Sequence, residues 1–298
     1  MDAWCGDILR RAAKARLQVT SLQEPIYDFK LGVLHTGGQY LRCRSKALGE
    51  FYCFWQRCPS GHGAVLFHLP GYGAEMSAHP ELVADGYNVL HINPLGYATP
   101  HGPDESKQEE GTWPVMAETL RSHGEHGYRD WLCQAAAAVL WALRQDGVDG
   151  RRFAFFGTSQ GGGTSLLLAS IFRDRGVRAS AADVPFLINF PASATAEVSG
   201  AYALVSAPLA EVARERPREV EAMWRAIGFV DAMSHARRLT MPVLLTAGTE
   251  DETCPADSIR SLFEKLPGTR SYTELSGQGH AYTMPFLHLA RAWFRIYV

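Results

Sequence analysis

The chain has 298 residues, 46% hydrophobic and 20% charged, so it is long enough to bury about three quarters of its unfolded surface in a globular fold. Its 29 Lys and Arg residues nearly balance 31 Asp and Glu residues, and a formal net charge of −2 argues against nucleic acid as a partner. The longest purely apolar run, residues 135–143, is less than half of the roughly 20 residues that a membrane-spanning helix needs. Disordered, fibrous and membrane-spanning proteins are therefore excluded.

The N-terminal region predicts one helix followed by two strands. Ile8, Leu9 and Ala12 recur at helical spacing among basic residues, without the compact apolar segment of a secretory signal. Residues 39–45 and 50–57 then form an antiparallel pair that would extend the edge of a sheet. We therefore expect a cytoplasmic protein.

From residue 63 onward, short β-branched or aromatic runs alternate with longer helical patterns. This alternation is typical of an α/β fold with a mostly parallel central sheet and helices on both faces. The predicted core strands are residues 64–68, 88–92, 153–156, 179–183, 243–247 and 270–275. The predicted helices are residues 78–84, 128–145, 161–173, 256–266 and 284–297.

Two segments interrupt this alternation, residues 93–127 and residues 185–235. Both follow the carboxyl ends of strands, where open α/β sheets bind their ligands, so we expect them to form a lid and pocket walls. Tyr97, Trp113 and Pro185 are candidate residues of the substrate pocket. The predicted organisation is one domain over residues 1–298, with residues 1–62 as an N-terminal helix and edge strands and residues 185–235 as a helical insertion.

The cysteines favour free thiols over a metal or redox site. None of the six forms a C-x-x-C pair, and a chain of this length does not need disulfides. A bridge between Cys53 and Cys58 is the alternative. The sequence His123-Gly124-Glu125-His126 could suggest a metal, but Gly124 and the following Gly127 break the helical geometry that would bring both imidazoles together. We expect no metal and no cofactor.

The sharpest motif is Gly157-Thr158-Ser159-Gln160-Gly161, a G-x-S-x-G between a predicted strand and a predicted helix. A serine on such a tight turn needs flanking glycines, because a Cβ at either position would be crowded. The strand before it and the helix after it indicate a nucleophile elbow. Ser159 is the candidate nucleophile.

A serine nucleophile needs a histidine base and a carboxylate that orients it. After an elbow of this kind the chain order is serine, acid, histidine. His280 lies in a glycine-rich loop after the last predicted strand, whereas His288 falls inside the final helix, so His280 is favoured as base. For the acid, the loop after residues 243–247 offers Glu250, Asp251 and Glu252, and the residues alone leave that choice open.

The negative oxygen of a tetrahedral intermediate needs at least two hydrogen-bond donors. The backbone N–H of Gln160, the residue after the nucleophile, is one candidate at the start of a helix. The other is the backbone N–H of Tyr72, because the flanking Gly71 and Gly73 let that loop approach a ligand.

With these residues in place, the chain resembles the acetyl xylan esterase and cephalosporin-C deacetylase family of α/β-hydrolases. The matching segments keep the family's order and are Gly157-Thr158-Ser159-Gln160-Gly161-Gly162-Gly163, Ala182-Asp183-Val184-Pro185-Phe186-Leu187, Phe229-Val230-Asp231-Ala232-Met233 and Asp251-Glu252-Thr253-Cys254-Pro255. The resemblance implies a Ser159–Asp251–His280 triad, Tyr72 and Gln160 as oxyanion donors, small acylated sugars and related esters as substrates, no metal, and assembly as homo-oligomers.

The chain departs from the family at two motifs. Leu95-Gly96-Tyr97 stands where the family has Arg-Gly-Gln, and Ala281 follows His280 where the family has Glu. The family's Arg-Gly-Gln is thought to brace the loops around the site. We therefore expect a divergent member whose acyl or alcohol preference has shifted.

The function predicted from these residues is a serine carboxylic-ester hydrolase that removes small acyl groups, acetyl in particular, through an acyl-enzyme. Two alternatives remain open at this point. One keeps the triad but acts on an amide, a thioester or an acyl-acceptor alcohol. The other is a catalytically inactive α/β-hydrolase fold that serves as a binding protein.

Overall fold

The structure is a computed structural model that describes residues 1–22, 26–28, 33–35, 37–71, 76–99, 102–107, 126–193 and 200–298. In these residues the strands are β1 (Gln18–Leu22), β2 (Ile26–Asp28), β3 (Val33–His35), β4 (Gln39–Ser45), β5 (Gly49–Gln56), β6 (Gly63–Leu69), β7 (Asn88–Asn93), β8 (Ala98–Thr99), β9 (Gly102–Pro103), β10 (Val148–Thr158), β11 (Val177–Asp183), β12 (Val243–Gly248) and β13 (Arg270–Leu275). The α-helices are α1 (Asp2–Lys14), α2 (Pro80–Ala84), α3 (His126–Ala142), α4 (Gln160–Ile171), α5 (Phe190–Ser193), α6 (Gly200–Glu215), α7 (Val220–Val230), α8 (Ala232–His235), α9 (Ala256–Lys265) and α10 (Met284–Tyr297).

Nine of the described strands form one sheet in the order β1-β4-β5-β7-β6-β10-β11-β12-β13. The six strands from β7 to β13 in that order pair in parallel, and β1, β4 and β5 add antiparallel pairs at one edge. The predicted fold class, a mostly parallel sheet with helices on both faces, is confirmed. The division into one domain with a cap over residues 185–235 stays a prediction, although the described part of that segment is largely helical.

The central strand β10 shows why these sequence runs lie inside the sheet. Phe153 and Phe155 pack in the hydrophobic cluster on one face, while Ala154 and Phe156 pack in the cluster on the other. Successive strand residues point to opposite faces, so a strand that is covered on both sides has no polar alternation. The continuous apolar run that predicted the strand is the signature of this double burial.

Two details of the sheet escaped sequence analysis. Strand β1 pairs with β4, but its residues are exposed or half-buried, so it has none of the apolar signal of a core strand. Strand β10 begins at Val148, five residues before the predicted start, because an irregular polar stretch joins Val148 to Phe153 while both residues pair with β6. Polar edge segments are held by backbone hydrogen bonds that leave little pattern in the sequence.

The N-terminal helix is part of the core. Trp4, Cys5, Ile8 and Ala12 form the buried stripe of α1, as the predicted helical spacing requires. The Trp4 ring stacks on Phe229 of α7, with ring centroids 5.6 Å apart. Helix α1 thereby joins the segment around residues 185–235 to the main core.

All six cysteines are buried free thiols, so the alternative of a Cys53–Cys58 bridge is wrong. The Cys58 Sγ lies 3.4 Å from the Ser60 hydroxyl, and the Cys53 Sγ lies 3.8 Å from the Cys43 Sγ on the neighbouring strand. In the described parts of the chain, no helix is both long and apolar enough to cross a bilayer.

One buried histidine predicts how stability responds to acid. His235 is fully buried; its Nε2–H donates to the Phe229 carbonyl and its Nδ1 accepts from the Ser170 hydroxyl. Burial lowers the pKa of His235 to about 4, against an opposing effect of the Phe229 hydrogen bond. Above pH 6.5 His235 is neutral in both the folded and the unfolded chain. Between pH 6.5 and pH 4 only the unfolded chain binds the proton, so the free energy of unfolding decreases as the pH is lowered through that window.

We expect the free energy of unfolding, measured with urea, to decrease between pH 7 and pH 4 by about 3 kcal/mol more in the parent than in His235→Gln. The control is His288→Gln, because His288 is exposed on α10 and its loss should not change the pH dependence. Equal pH dependence in the parent and His235→Gln would contradict the assignment.

Candidate active site

Ser159 lies at the turn between β10 and α4 in a strained backbone conformation. Its φ is 58° and its ψ is −121°, a region that residues with a side chain rarely adopt. This turn lifts the side chain out of the carboxyl end of the sheet. The structure therefore has the local geometry that the G-x-S-x-G motif predicted.

The glycines around Ser159 are required because other backbone segments approach too closely for a side chain. A Cβ at Gly161 would lie 2.0 Å from the carbonyl oxygen of Leu69, and a Cβ at Gly157 would lie 2.6 Å from the same atom. A Cβ at Gly163 would lie 2.0 Å from the carbonyl oxygen of Phe186. The third glycine after the serine is thus as tightly constrained as the two in the motif.

Two backbone hydrogen bonds hold the strained turn. The Ser159 N–H donates to the Asp183 carbonyl at 2.9 Å, and the Ser159 carbonyl accepts from the Phe186 N–H at 2.9 Å. Both partners belong to the end of β11 and the segment that follows it. The position of Ser159 therefore depends on the neighbouring strand as well as on its own.

His280 approaches Ser159 from the loop after β13. Its Nε2 lies 2.8 Å from the Ser159 Oγ, and its Nδ1 lies 2.8 Å from the Asp251 Oδ2. Because a carboxylate only accepts hydrogen bonds, the ring proton is on Nδ1, and Nε2 is free to accept from the serine hydroxyl. The alternative base, His288, is exposed on α10.

Asp251 is the one carboxylate of its loop that is directed inward. Its side chain is fully buried, and its Oδ1 accepts from the backbone N–H groups of Thr253 and Cys254 at 2.9 and 2.7 Å. Glu250 and Glu252 on either side are exposed. Of the three acids among which the sequence left the choice open, Asp251 is the one whose hydrogen bond to His280 the structure shows.

Gln160 begins α4, so its backbone N–H is among the helix N-terminal groups that have no partner within the helix. Its side chain is buried and accepts from the Tyr128 hydroxyl at 2.9 Å, and its Nε2 donates to the Gly71 carbonyl at 3.4 Å. Gly71 directly precedes Tyr72, the other predicted oxyanion donor, which lies outside the described residues. Gln160 therefore ties helix α4 to the start of that loop.

The three predicted pocket residues have different outcomes. Tyr97 is 6% exposed and packs in the main hydrophobic core. Pro185 is buried against α4, where its Cβ would lie 3.0 Å from a Cβ at Gly162. Trp113 lies outside the described residues. As pocket residues, all three stay predictions.

Other side chains brace the loop after β7 where the family's Arg-Gly-Gln is absent. Leu95 has a left-handed backbone, with φ at 62°, and its N–H donates to the Gln134 Oε1 at 2.6 Å. Gln134 also donates to the Leu48 carbonyl at 2.6 Å. The Lys107 ammonium donates to the carbonyls of Leu95 and Gly96 at 2.6 and 3.1 Å. One amide and one ammonium thus hold this loop.

Asp183 is a buried carboxylate beside the site to which sequence analysis assigned no role. It is 0% exposed at the end of β11, and it accepts from the hydroxyls of Thr158 and Thr246 at 3.1 and 2.5 Å. A carboxylate at the carboxyl end of a core strand is the signal that could have found it, because ligands bind at this edge of a sheet.

A third buried carboxylate, Asp231, pins the segment after β11. Its Oδ1 accepts from the N–H groups of Asn189 and Met233, and its Oδ2 accepts from the Phe190 N–H, at 2.9 to 3.0 Å. Leu187 and Asn189 in this segment have left-handed φ angles of 65° and 57°. The Asp231 hydrogen bonds thus fix the backbone at Asn189 and Phe190, shortly after the left-handed Leu187.

Among the residues that the structure describes, no group of three or more His, Cys, Asp or Glu side chains is arranged to hold a metal ion. The His123–His126 sequence, which the glycines argued against as a metal site, lies outside those residues.

The strand order and the elbow at Ser159 define the α/β-hydrolase fold, and the comparisons with known proteins narrow the class. The acetyl xylan esterase (AXE1) family model matches residues 59–296. The chain therefore belongs to the acetyl xylan esterase family, and it is a carboxylic ester hydrolase.

Solved structures of similar proteins share the fold at low sequence identity. The acetyl xylan esterase from Paenibacillus sp. R4 is 21% identical with a TM-score of 0.78, covering 100% of this chain and 94% of that chain. Acetyl xylan esterase 1 from Thermoanaerobacterium sp. JW/SL YS485 is 18% identical with a TM-score of 0.78, covering 98% and 92%. Est1E from Butyrivibrio proteoclasticus, in its complex with ferulic acid, is 16% identical with a TM-score of 0.57, covering 88% and 94%.

The crowding at Gly161 gives a stability prediction with a matched control. We expect Gly161→Ala to destabilise the protein by about 2 kcal/mol or more, because backbone atoms of Leu69 and Pro70 would have to move. In Gly228→Ala, on helix α7, the nearest neighbour of the new Cβ is the Ser234 Oγ at 3.8 Å, so a gain of about 0.5 to 1 kcal/mol is expected. Urea unfolding measures both, and a Gly161→Ala variant as stable as the parent would contradict the close approach.

Proposed function

We propose that this carboxylic ester hydrolase works through Ser159, His280 and Asp251. Ser159 attacks the ester carbonyl while His280 takes its proton at Nε2. His280 then gives that proton to the departing alcohol, and Asp251 stabilises the imidazolium through Nδ1. Water, activated by the same histidine, attacks the acyl-serine and releases the acid.

One observation carries this proposal: the continuous hydrogen-bonded chain from Ser159 Oγ through both His280 nitrogens to a buried carboxylate. The two 2.8 Å contacts are within the range for proton transfer in the ground state. The same loops offer no second histidine in contact with Ser159 among the described residues. The proposed oxyanion donors are the backbone N–H groups of Gln160 and Tyr72.

The proposed substrates are small acetylated compounds. The support is the family match and the names of two similar structures, both acetyl xylan esterases. The near-neutral charge of the chain suits uncharged esters. Amide, thioester and acyl-transfer activities, and a binding function without catalysis, are the alternatives that the tests below separate.

We further propose a cytoplasmic location and assembly into homo-oligomers. Six unpaired cysteines support the first, because thiols stay reduced in that compartment. The family resemblance supports the second. Analytical ultracentrifugation of the purified chain tests the assembly.

The direct test is Ser159→Ala assayed with short acyl esters. We expect kcat/KM to fall roughly 10⁴-fold or more, since the covalent step is lost. A fluorophosphonate should label the parent once per chain and leave the variant unlabelled. Unchanged turnover by the variant would overturn the mechanism, and an unlabelled parent would favour the inactive binding protein. Acetyl, butyryl, peptide and thioester substrates then separate the reaction classes.

The acid loop supplies matched controls for the same mechanism. Asp251→Asn should lower kcat about 10³- to 10⁴-fold, because the imidazolium loses its buried counter-charge. Glu250→Gln and Glu252→Gln change exposed carboxylates one residue away and should keep the parent rate.

The rim beside His280 predicts how the enzyme treats the alcohol part of an ester. Tyr282 and Met284 are 46% and 56% exposed, and the Tyr282 ring packs edge-on against the buried Phe286 at 6.4 Å. Because His280 hands its proton to the leaving alcohol, we propose that the alcohol binds beside these two side chains, which follow His280 closely in the chain. Ala281 also leaves the rim without the family's carboxylate.

We expect Tyr282→Ala to lower kcat/KM for 2-naphthyl acetate about 5- to 10-fold, the effect of one lost aromatic contact, and to leave methyl acetate unchanged. Ile296→Ala is the control: it removes a residue that is 69% exposed, about 18 Å away from Met284 along α10. Equal losses for both esters would contradict an alcohol site at Tyr282.

A further inference from the structure

Asp183 is the best-defined ionisable group that the proposed mechanism does not use. Its side chain is fully buried, and both carboxylate oxygens have a hydroxyl donor, Thr158 on β10 and Thr246 on β12. Its backbone carbonyl accepts the N–H of Ser159. Asp183 therefore connects three adjacent strands at the edge of the sheet from which the nucleophile emerges.

The hydrogen bonds alone do not explain why this residue carries a charge. Hydroxyl groups donate and accept, so a neutral amide at position 183 could pair with both threonines and keep the same backbone bond to Ser159. Burying a carboxylate without a cation in direct contact is costly. The hydrogen bonds therefore do not account for the negative charge. An interaction of that charge with His280, the proton-transfer group of the proposed mechanism, would account for it.

The electrostatic surroundings of Asp183 identify that group. Burial raises the pKa of Asp183 to about 6; the two threonine hydroxyls and the positive charge of His280 oppose this rise, and the negative charge of Asp251 adds to it. Burial, the Glu81 charge and, last, the Asp183 charge raise the pKa of the Tyr282 phenol in the turn before α10. His280, Asp251, Tyr282 and Glu81 are thus the titratable groups whose charges act in this region.

We infer that Asp183 is a positioning residue for the reaction: its buried negative charge is a second counter-charge, beside Asp251, for the imidazolium that forms on His280. The inference rests on the proposed roles of Ser159, His280 and Asp251, and it deepens them. Asp251 orients the ring by direct contact, whereas Asp183 acts through space from the neighbouring strand. The site then has two buried carboxylates for one imidazolium.

The test is the ratio of kcat/KM for Asp183→Asn to that of the parent, measured from pH 5 to pH 8.5. Below pH 6 Asp183 is protonated in the parent, so a neutral amide changes little and the ratio approaches one. Above pH 6 the parent gains the charge, and the ratio should fall roughly 10-fold or more, the effect of a unit charge within about 12 Å at an effective dielectric constant of about 20. A purely structural role would give a ratio that does not depend on pH, and that result would overturn the inference.

A second variant keeps the test decisive if the amide impairs folding. Thr246→Val removes one hydroxyl that favours the ionised form, so Asp183 should ionise at higher pH. Its rate relative to the parent should dip near pH 7 and recover by pH 8.5, which is the opposite trend to Asp183→Asn. No recovery at high pH would count against the inference.

Asp231→Asn is the matched comparison, because Asp231 is also buried but accepts only from backbone N–H groups. Its effect on the rate should be the same at pH 6 and at pH 8.5. Fluorophosphonate labelling of Ser159 distinguishes failure of the role inferred for Asp183 from failure of the proposed function. A labelled Asp183→Asn enzyme with a flat ratio refutes only the role of Asp183, whereas an unlabelled parent refutes the proposed function.

Discussion

The candidate site depends on one strained residue, Ser159, whose backbone conformation costs on the order of 1–3 kcal/mol. That cost is met by hydrogen bonds from both sides of the elbow, to the Asp183 carbonyl and from the Phe186 N–H. The partners lie on the next strand and its loop, so the hydrogen bonds that hold this turn exist only where β11 lies beside β10. The crowding at Gly161 and Gly163 has the same origin, because the segments that hold the turn leave no room for side chains.

The same requirement explains why three carboxylates are buried at this edge of the sheet. Asp231 holds the left-handed segment that provides the Phe186 N–H, Asp251 contacts the histidine, and Asp183 joins the ends of β10, β11 and β12. Each has hydrogen-bond donors for its oxygens, as buried charges require. Backbone N–H groups pair with Asp231 and Asp251, so removing either acid would leave unsatisfied donors. Asp183 differs, because its donors are hydroxyls that could pair with a neutral group, and its charge is therefore available for the chemistry.

The sequence predicted the core of this fold well, because strands buried on both faces have continuous apolar runs. A G-x-S-x-G between a strand and a helix also predicts a nucleophile elbow with few alternatives. It missed β1, whose stability comes from backbone pairing at an exposed edge. It could not choose among Glu250, Asp251 and Glu252, because three adjacent carboxylates differ only in the direction that the folded loop gives each side chain. Asp183 was missed for a related reason: its importance comes from Thr158 and Thr246, which are 25 and 63 residues away along the chain. The Tyr72 donor and the Trp113 pocket residue stay predictions from sequence.

Membership of the family does not by itself determine the substrate, and the loop after β7 shows why. At Leu95-Gly96-Tyr97, where the resemblance implied Arg-Gly-Gln, the loop is held by Gln134 from α3 and Lys107 from a later turn, bonded to the backbone of Leu95. The loop is therefore held by side chains from other parts of the chain, so the loss of the motif need not disturb the position of Ser159. Within the described parts of the chain, the residues that follow His280 offer no such bracing contact; Ala281 and Tyr282 are exposed there. The bracing of the loop and the composition of the segment after His280 are thus separate features of the chain, and the proposed change in alcohol preference depends only on the second.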